Sequence, residues 1–351
     1  MSDAEYIRVV RSNLPAEAFS PNPRAYFLIM FHVGVVVAGW FATLLTSRPW
    51  WLLIAIPVAV SMSALTFLAH DLSHRTITTN RYLLYPTELV VWSLLYLPPT
   101  LWRKVHGIHH AHTNDSGDPD RRFLASEMGQ RSIIAAALLF PNKTMRYLPI
   151  YLLYWLLFPF RHGISALFYR SQSLPPFATA KPRYSTQDKL WIVFEIFVIV
   201  AVQLAIGKLV GFGRAFFCVS LFPVLCASVV VSWYFFTNHG LKPIGEGKDV
   251  LATTTTVTVP KLCDKLHSNF SYHVEHHLFP TMNPKYYPMV SKLFRKYFPD
   301  RYHCVPIGKA WTVLFRSSIA CADRAAPSIS EPDRTTMSPG VTVSTQPALS
   351  N

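Results

Sequence analysis

Four long apolar runs divide the chain, and they come in two pairs. Ala25 to Ser47 is followed across Arg48-Pro49 by Trp50 to Ala69, and Leu190 to Gly211 is followed across Phe212-Gly213-Arg214 by Ala215 to Thr237. At ~1.5 Å per residue each run can cross a ~30 Å hydrocarbon layer as a helix. Links this short allow only a reversal, so each pair predicts a transmembrane hairpin that returns the chain to its starting side. Two shorter apolar stretches break the pattern. Leu83 to Trp102 is interrupted by Pro86, Glu88, Pro98 and Pro99, and Tyr147 to Phe160 is short and rich in Tyr and Trp. Both are expected to lie in the membrane interface instead of crossing.

The remaining segments are polar. Residues 1–24 carry Pro15, Pro21 and Pro23 and lack the apolar core of a signal peptide, which predicts an irregular or surface-lying cytoplasmic leader. Tyr286 to Tyr297 has the alternation of an amphipathic helix, and from Ser328 onward Ser, Thr and Pro predict a disordered tail. The expected architecture is an all-α integral membrane protein of four transmembrane helices in two hairpins, with interfacial helices and a cytoplasmic histidine-rich cap. Its divisions are a leader at 1–24, a membrane domain at 25–317 and a tail at 318–351.

Composition supports a polytopic membrane protein: 51% of residues are hydrophobic, only 15% are charged, and the mean hydropathy is +0.24. The net charge of +14 comes without any helix-turn-helix, zinc-finger or aromatic RNA-binding motif, so nucleic acid is not an expected partner. The positive residues concentrate between His70 and Lys189 and after His239, whereas the two tight turns and their edges carry only Arg48, Lys208 and Arg214. By the positive-inside rule, both termini and the long loops face the cytoplasm. Cys218, Cys226, Cys263, Cys304 and Cys321 are scattered, without a CxxC pair, and imply neither a disulfide framework nor a thiolate metal site.

The chemistry lies in three histidine runs: His70-Asp71-Leu72-Ser73-His74, His106-Gly107-Ile108-His109-His110 and His273-Val274-Glu275-His276-His277. Each holds two histidines four residues apart, a spacing that puts both imidazoles on one helix face, close enough to share an ion. His109 and His276 sit about 100° around from their neighbours, where a second ion is the natural target. Eight imidazoles are too many for one ion, whereas two ions with open positions use them all. The absence of cysteine from these runs excludes iron–sulfur and argues against a closed structural zinc site, but imidazole alone does not choose between Zn, Cu, Fe and Ni.

The order HxxxH, HxxHH, HxxHH between two apolar hairpins, ending in His-Val-Glu-His-His-Leu-Phe-Pro, resembles the membrane-bound fatty acid desaturase superfamily. Its relatives include the alkane and fatty acid hydroxylases and the carotenoid ketolases. The resemblance runs from about Ala25 to Lys309. It implies a non-haem di-iron oxidase that uses O2 and takes electrons from a ferredoxin-, rubredoxin- or cytochrome-type donor. Carried over residue by residue, His70, His74, His106, His109, His110, His273, His276 and His277 become iron ligands. His239, just after the last span, takes the place of a further family ligand. Asn238 or Asn269 would hold a water on one iron, and Asp71 and Glu275 would accept imidazole N–H groups and fix the tautomers.

Other residues take supporting roles. His112 reads as a support or substrate-facing residue, and His267 as a support behind the third run. Asp115, Asp118 and Asp120 either brace the second run or simply make a turn. His32, His162 and His303 are expected to lie outside the ligand set.

The third run begins with His273 where front-end desaturases with a fused haem domain usually carry Gln, and there is no His-Pro-Gly-Gly motif. The resemblance therefore favours a stand-alone enzyme of bacterial inner-membrane type acting on a fatty acid or acyl thioester. Desaturation is the leading expectation, with 1-alkene-forming decarboxylation next, then hydroxylation or ketolation. The rival from another class is a membrane metal transporter, which would string polar ligands along its spans. Here the histidine runs cluster at one face.

Overall fold

The computed structural model describes residues 2–121, 148–168, 182–245 and 249–316. The tail at 318–351 lies outside them. Four helices are long and apolar enough to span a bilayer: α2 (Ala25–Leu45), α3 (Trp51–Ser73), α7 (Thr186–Val210) and α8 (Arg214–His239). They pair as the hydropathy pattern predicts. In the first hairpin α2 lies along α3, where Gly39 allows close approach, because a Cβ there would collide with the Val58 side chain. The second hairpin turns at Gly211 and Gly213, with φ of 82° and 106°, conformations that cost glycine little. α3 and α8 pack together, so the two hairpins end side by side, bringing His70 and His239 to the same level.

The interrupted stretch resolves into two helices, α4 (Arg81–Leu94) and α5 (Pro99–Ala111). They are separated at Pro98-Pro99, where Pro98 is extended and Pro99 occupies the first turn of α5. The stretch expected at Tyr147 to Phe160 is part of a longer helix, α6 (Leu148–Phe168), packed along α8. It runs on because its polar residues find partners: Arg161 donates to the Pro119 carbonyl at 3.1 Å, and His162 lies 3.7 Å from Asp120.

Deep in the bundle a polar cluster ties these helices together. Glu195 of α7 is fully buried. It accepts from the Thr100 backbone N–H at 2.9 Å, the Thr100 hydroxyl at 2.6 Å and the Tyr85 hydroxyl at 3.1 Å. One span thus caps the N-terminus of α5 with a carboxylate, which the helix dipole favours. Glu88, equally buried, pairs with Arg103 and accepts from Ser73 at 3.0 Å, joining α3, α4 and α5. Unpaired charges there would be expensive, and the pairing is what makes them tolerable.

Beyond the histidine end of the spans lies a second layer. It contains α9 (Val250–Thr253), strand β1 (Thr256–Thr258), α10 (Lys261–Leu266), α11 (His273–Leu278), α12 (Tyr287–Tyr297), strand β2 (Cys304–Pro306) and α13 (Ile307–Arg316). The strands pair in parallel, with Val257 opposite Val305. The amphipathic helix expected at Tyr286 to Tyr297 is α12. The leader is not irregular: it forms α1 (Asp3–Arg11) and a 3-10 turn at Ala16–Phe19. Tyr6 and Val10, four residues apart, make a small apolar face that is fully buried in this layer. The Tyr6 ring meets Phe298 edge-on at 4.9 Å and Phe294 at 6.3 Å, and Asp3 accepts from the Val250 N–H at 2.8 Å.

Replacing Tyr6 by Ala should therefore destabilise the folded protein by about 3 kcal/mol, the range for a buried aromatic truncated in a packed core. Tyr82→Ala, at a position that is 73% exposed, should leave the melting temperature in detergent unchanged. Equal melting of both variants would show that α1 is not part of the core.

Candidate metal centre

Each histidine run is held by a helix and its termination. His70 lies in the last turn of α3, and His74 closes that helix with its N–H on the His70 carbonyl at 3.2 Å. The chain turns away at Arg75, whose φ of 60° is left-handed. His106, His109 and His110 occupy the last turns of α5, and His239 ends α8. His273, His276 and His277 fill the short α11, which follows a turn at Ser268 and Asn269 with φ of 52° and 57°.

The fold sorts these histidines into two groups able to hold metal. His70, His74, His106, His110 and His276 form one group; His109, His239, His273 and His277 form the other. Within each group one ring nitrogen from every residue lies within 4.8 Å of all the others. The i, i+4 pairs stay together, while His109 and His276 cross over into the other group, as the 100° offset predicts. The Nε2 atoms of His74 and His110 are 2.9 and 3.0 Å from that of His106, and His110 and His276 are 3.1 Å apart. In the other group His239 and His277 approach His273 at 2.9 and 3.1 Å. Contacts this short between ring nitrogens need a proton or a cation between them. Among the described residues, His70 Nε2 is buried with no hydrogen-bond partner, as a nitrogen reserved for a cation would be.

Comparison with protein-family models gives a match to the fatty acid desaturase model over residues 48–308, which takes in all nine histidines. The chain belongs to the fatty acid desaturase family. No curated protein matches its sequence. For a desaturase-family chain, an oxidoreductase, this donor set is chemically apt, because imidazole is a good ligand for iron and the two groups lie side by side.

Partners outside the two groups orient three of the rings. His109 donates Nδ1–H to Asp118, 2.9 Å from both carboxylate oxygens, leaving Nε2 for the site. His276 Nδ1 lies 3.2 Å from the Tyr287 hydroxyl and His277 Nδ1 3.0 Å from the Thr113 hydroxyl, contacts that turn the Nε2 atom of each ring to the site. Burial, reinforced by neighbouring imidazoles, pushes His74, His106, His110, His273, His276 and His277 well below the ordinary histidine range. These rings are therefore neutral, with lone pairs available. His109 is the exception: burial alone would lower it, but the charge and hydrogen bond of Asp118, helped by Asp120, raise it.

Not every expected support is where the sequence put it. Asp71 lies 3.4 Å from His70 Nδ1 and also bonds Ser268, linking the first run to the turn before the third. Among the described residues Glu275 hydrogen-bonds to no imidazole. Its carboxyl accepts from Thr256 at 2.6 Å and Tyr302 at 2.5 Å, and burial pushes it up to about 7. It fastens α11 to the strand pair, because residue 275 points to the helix face opposite the metal groups. Asn269 is likewise occupied elsewhere, donating to the Pro284 carbonyl at 3.1 Å. Asn238 is buried, and among the described residues neither amide atom is bonded, so it remains available to a water.

His112 faces Asp115 at 3.1 Å and lies outside both groups. His267 bonds the Tyr234 hydroxyl at 3.0 Å and packs on Phe67. His32, His162 and His303 are engaged with Ser61, Asp120 and Lys242, and none joins the groups.

Sequence reasoning passed over Asn114, Thr113 and Tyr287. Asn114 is fully buried with φ of 55°, and its amide nitrogen lies 2.9 Å from the Pro243 carbonyl and 3.3 Å from that of His239. Its N–H meets Asp118 at 2.7 Å, so one residue couples the support of His109 to the end of α8. The usable signal was the Asn-Asp-x-x-Asp spacing after the second run, although a solvent turn has the same composition.

Two predictions follow from the hydrogen bonds and the depressed histidines. Asp118→Asn should weaken metal binding about 10–100-fold, measured by metal titration of the folded protein, as loss of an imidazole-orienting partner does. In the unfolded chain the six lowered histidines protonate near ~6.5, but in the fold they do so only at lower pH. The unfolded state therefore binds more protons, and the melting temperature of metal-free protein should fall as pH drops from 7 to 5. Raised His109 and buried Glu275, pushed up to about 7, oppose this but are outnumbered. A melting temperature that rises toward pH 5 would contradict the neutral-cluster picture.

Proposed function

We propose that this chain is a membrane di-iron oxidase acting on fatty acyl chains with O2 and two electrons, and most directly an acyl desaturase. The observation that carries this reading is the pair of all-imidazole groups sharing one end of an apolar bundle. Five rings would hold one iron and four the other, with Asn238 available to place a water. Two irons bound there would supply the oxygen chemistry needed to attack an unactivated C–H bond.

The protein's own residues position and exclude. A narrow chamber of about 40 Å³ touches both groups and is walled by Phe67, Trp102, Val231, Phe235 and Phe270 among others. Trp102 stacks on His106 at 4.4 Å, fixing that ring while presenting hydrocarbon to the chamber. Apolar walls keep water from the reacting carbon and let an acyl chain lie beside the metals. His109 with Asp118, His276 with Tyr287 and His277 with Thr113 hold their protons on the nitrogen away from the site.

The basic loops support a cytoplasmic placement of this end, and a soluble ferredoxin-, rubredoxin- or cytochrome-type protein would supply the electrons. A metal transporter is disfavoured because the polar residues deep in the spans that could form a pathway, His32, Gln203 and Glu195, are committed. His32 bonds Ser61, Gln203 bonds the Ser93 carbonyl and Glu195 caps α5.

Expression in a host lacking the activity, followed by mass spectrometry of lipids and headspace volatiles, tests the assignment. New internal double bonds are expected. Volatile 1-alkenes would instead establish decarboxylation, and hydroxy acids hydroxylation. His277→Ala should abolish turnover and lower the iron content; a fully active variant would remove His277 from the metal-binding set.

A further inference from the structure

Oxidation of an acyl chain with O2 and two electrons also consumes two protons. In desaturation two C–H bonds and the O–O bond break and four O–H bonds form, giving two waters. The substrate supplies two of those hydrogens, and solvent must supply the other two as protons. Hydroxylation of the same chain, which gives one alcohol and one water, needs two solvent protons as well. The chamber beside the metal groups has mostly apolar walls, which are poor conductors of protons. Among the described residues that line it, the one ionisable side chain outside the two metal groups is Asp120. Asp120 is only 5% exposed. A carboxylate in such surroundings is costly, and a costly ionisable group in a cavity points to function.

The turn after the second histidine run delivers Asp120 to this wall. Asp118 holds the His109 ring, and the same carboxylate accepts the Asp120 N–H at 2.8 Å. From α6, Arg161 donates to the Pro119 carbonyl at 3.1 Å. The next residue of α6 is His162, which is buried, with Nε2 3.7 Å from the Asp120 carboxylate. A shift of about half an ångström would make that a hydrogen bond. The His162 ring packs on Phe158 at 4.4 Å, and Phe158 meets Trp102 at 5.5 Å, so His162 stands behind the chamber wall.

The charges around the pair leave it ready to accept a proton. Burial would raise Asp120, but His162, His109 and Arg161 hold it below the ordinary carboxylate range. Burial, with Arg161, lowers His162 against the opposing pull of Asp120. On the outer side, burial and the charges of Asp188 and Asp120 raise the Tyr184 phenol. Asp188 pairs with Lys104 at 2.9 Å, where their side chains are 20% and 40% exposed. Polar groups therefore continue from the chamber wall toward the surface.

We infer that Asp120 is the acid that passes protons into the metal chamber, and that His162 recharges it from the solvent side. The inference rests on the oxidase reading and gives a route to the protons that reading requires. A proton on His162 Nε2 crosses to the Asp120 carboxylate, and the Asp120 O–H then gives it to the oxygen being reduced. His162 takes the next proton from the side of Tyr184. No electron moves through the pair, which returns after each transfer to a carboxylate and a neutral imidazole.

Two states of the full-length protein in lipid nanodiscs test this. With zinc in the site no oxygen chemistry runs, and 15N NMR of the ring signal that disappears in His162→Gln reports on the pair alone. In Asp120→Asn that ring should titrate at lower pH by about one unit or more, because the carboxylate that favours its charged form is gone. An unchanged titration would overturn the pairing. The iron-loaded protein is reduced without air, freed of reductant and mixed with O2 and stearic acid, and oxidised acyl product is followed by mass spectrometry. Asp120→Asn should slow that single turnover at least about 100-fold, the range for loss of a proton-transferring group, with iron content unchanged. Asp120→Glu should restore most of the rate. His162→Gln, which leaves the bond to Asp118 intact, should slow the same step and shift its pH profile. An undiminished rate in Asp120→Asn would overturn the proposal, and so would a slow rate accompanied by lost iron, since Asp120 would then only brace His109. Wild-type protein that forms no oxidised acyl product would overturn the oxidase reading, and with it the destination of the proton. The zinc-state titration would still decide the pairing.

Discussion

Nine imidazoles gathered in two buried groups, seven of them with a ring nitrogen about 3 Å from a neighbour's, cannot coexist at low cost without protons or cations between them. Lone pairs then face lone pairs, and protonating several rings at once in a buried site is worse. The rest of the architecture can be understood as the means of holding that arrangement. Two spans deliver His70 and His239 to one level, α5 delivers three rings from the side, and α11 lowers three more from above. Several rings are then fixed from behind: His109 by Asp118, His276 by Tyr287, His277 by Thr113 and His106 by the Trp102 face.

That requirement explains why so much polarity is buried in an apolar bundle. Glu195 caps α5 from a neighbouring span, and Glu88 with Arg103 locks the same helix against α3 and α4. Hydrophobic packing alone is non-directional and would let α5 slide or rotate, moving His106, His109 and His110 together. Hydrogen bonds to a helix terminus fix register as well as contact. Asn114 does the same for the loop that follows α8, and Glu275 for α11. The outer layer, α1 included, completes the clamp by packing on the helix that supplies Tyr287 to His276.

Membership of the desaturase family and the two-hairpin plan were legible because their signals are local. A run of twenty apolar residues, or two histidines four apart, carries its meaning in the period of a single helix. The crossing of His109 and His276 between the groups was readable for the same reason, since it follows from 100° per residue. The role of α1 was not legible, because its apolar face is two residues wide and means nothing until Phe294 and Phe298 are placed against it. Glu275 misled for a related reason. Sitting between metal-group histidines, it looked like their partner, but helix geometry turns it to the opposite face, toward Thr256 and Tyr302.

By itself, then, the sequence determined which segments are long and apolar enough to cross the bilayer, which histidines pair on each helix face, and that the chain resembles the desaturase family. Only the tertiary structure decided the division into five rings and four, the partners that orient His109, His276 and His277, and an apolar cavity beside α6, α7 and α8. Those features depend on contacts between residues as far apart as Thr113 and His277 or Tyr96 and Ser220. No local period encodes such distances, because they are fixed by how whole helices pack, cap one another and end.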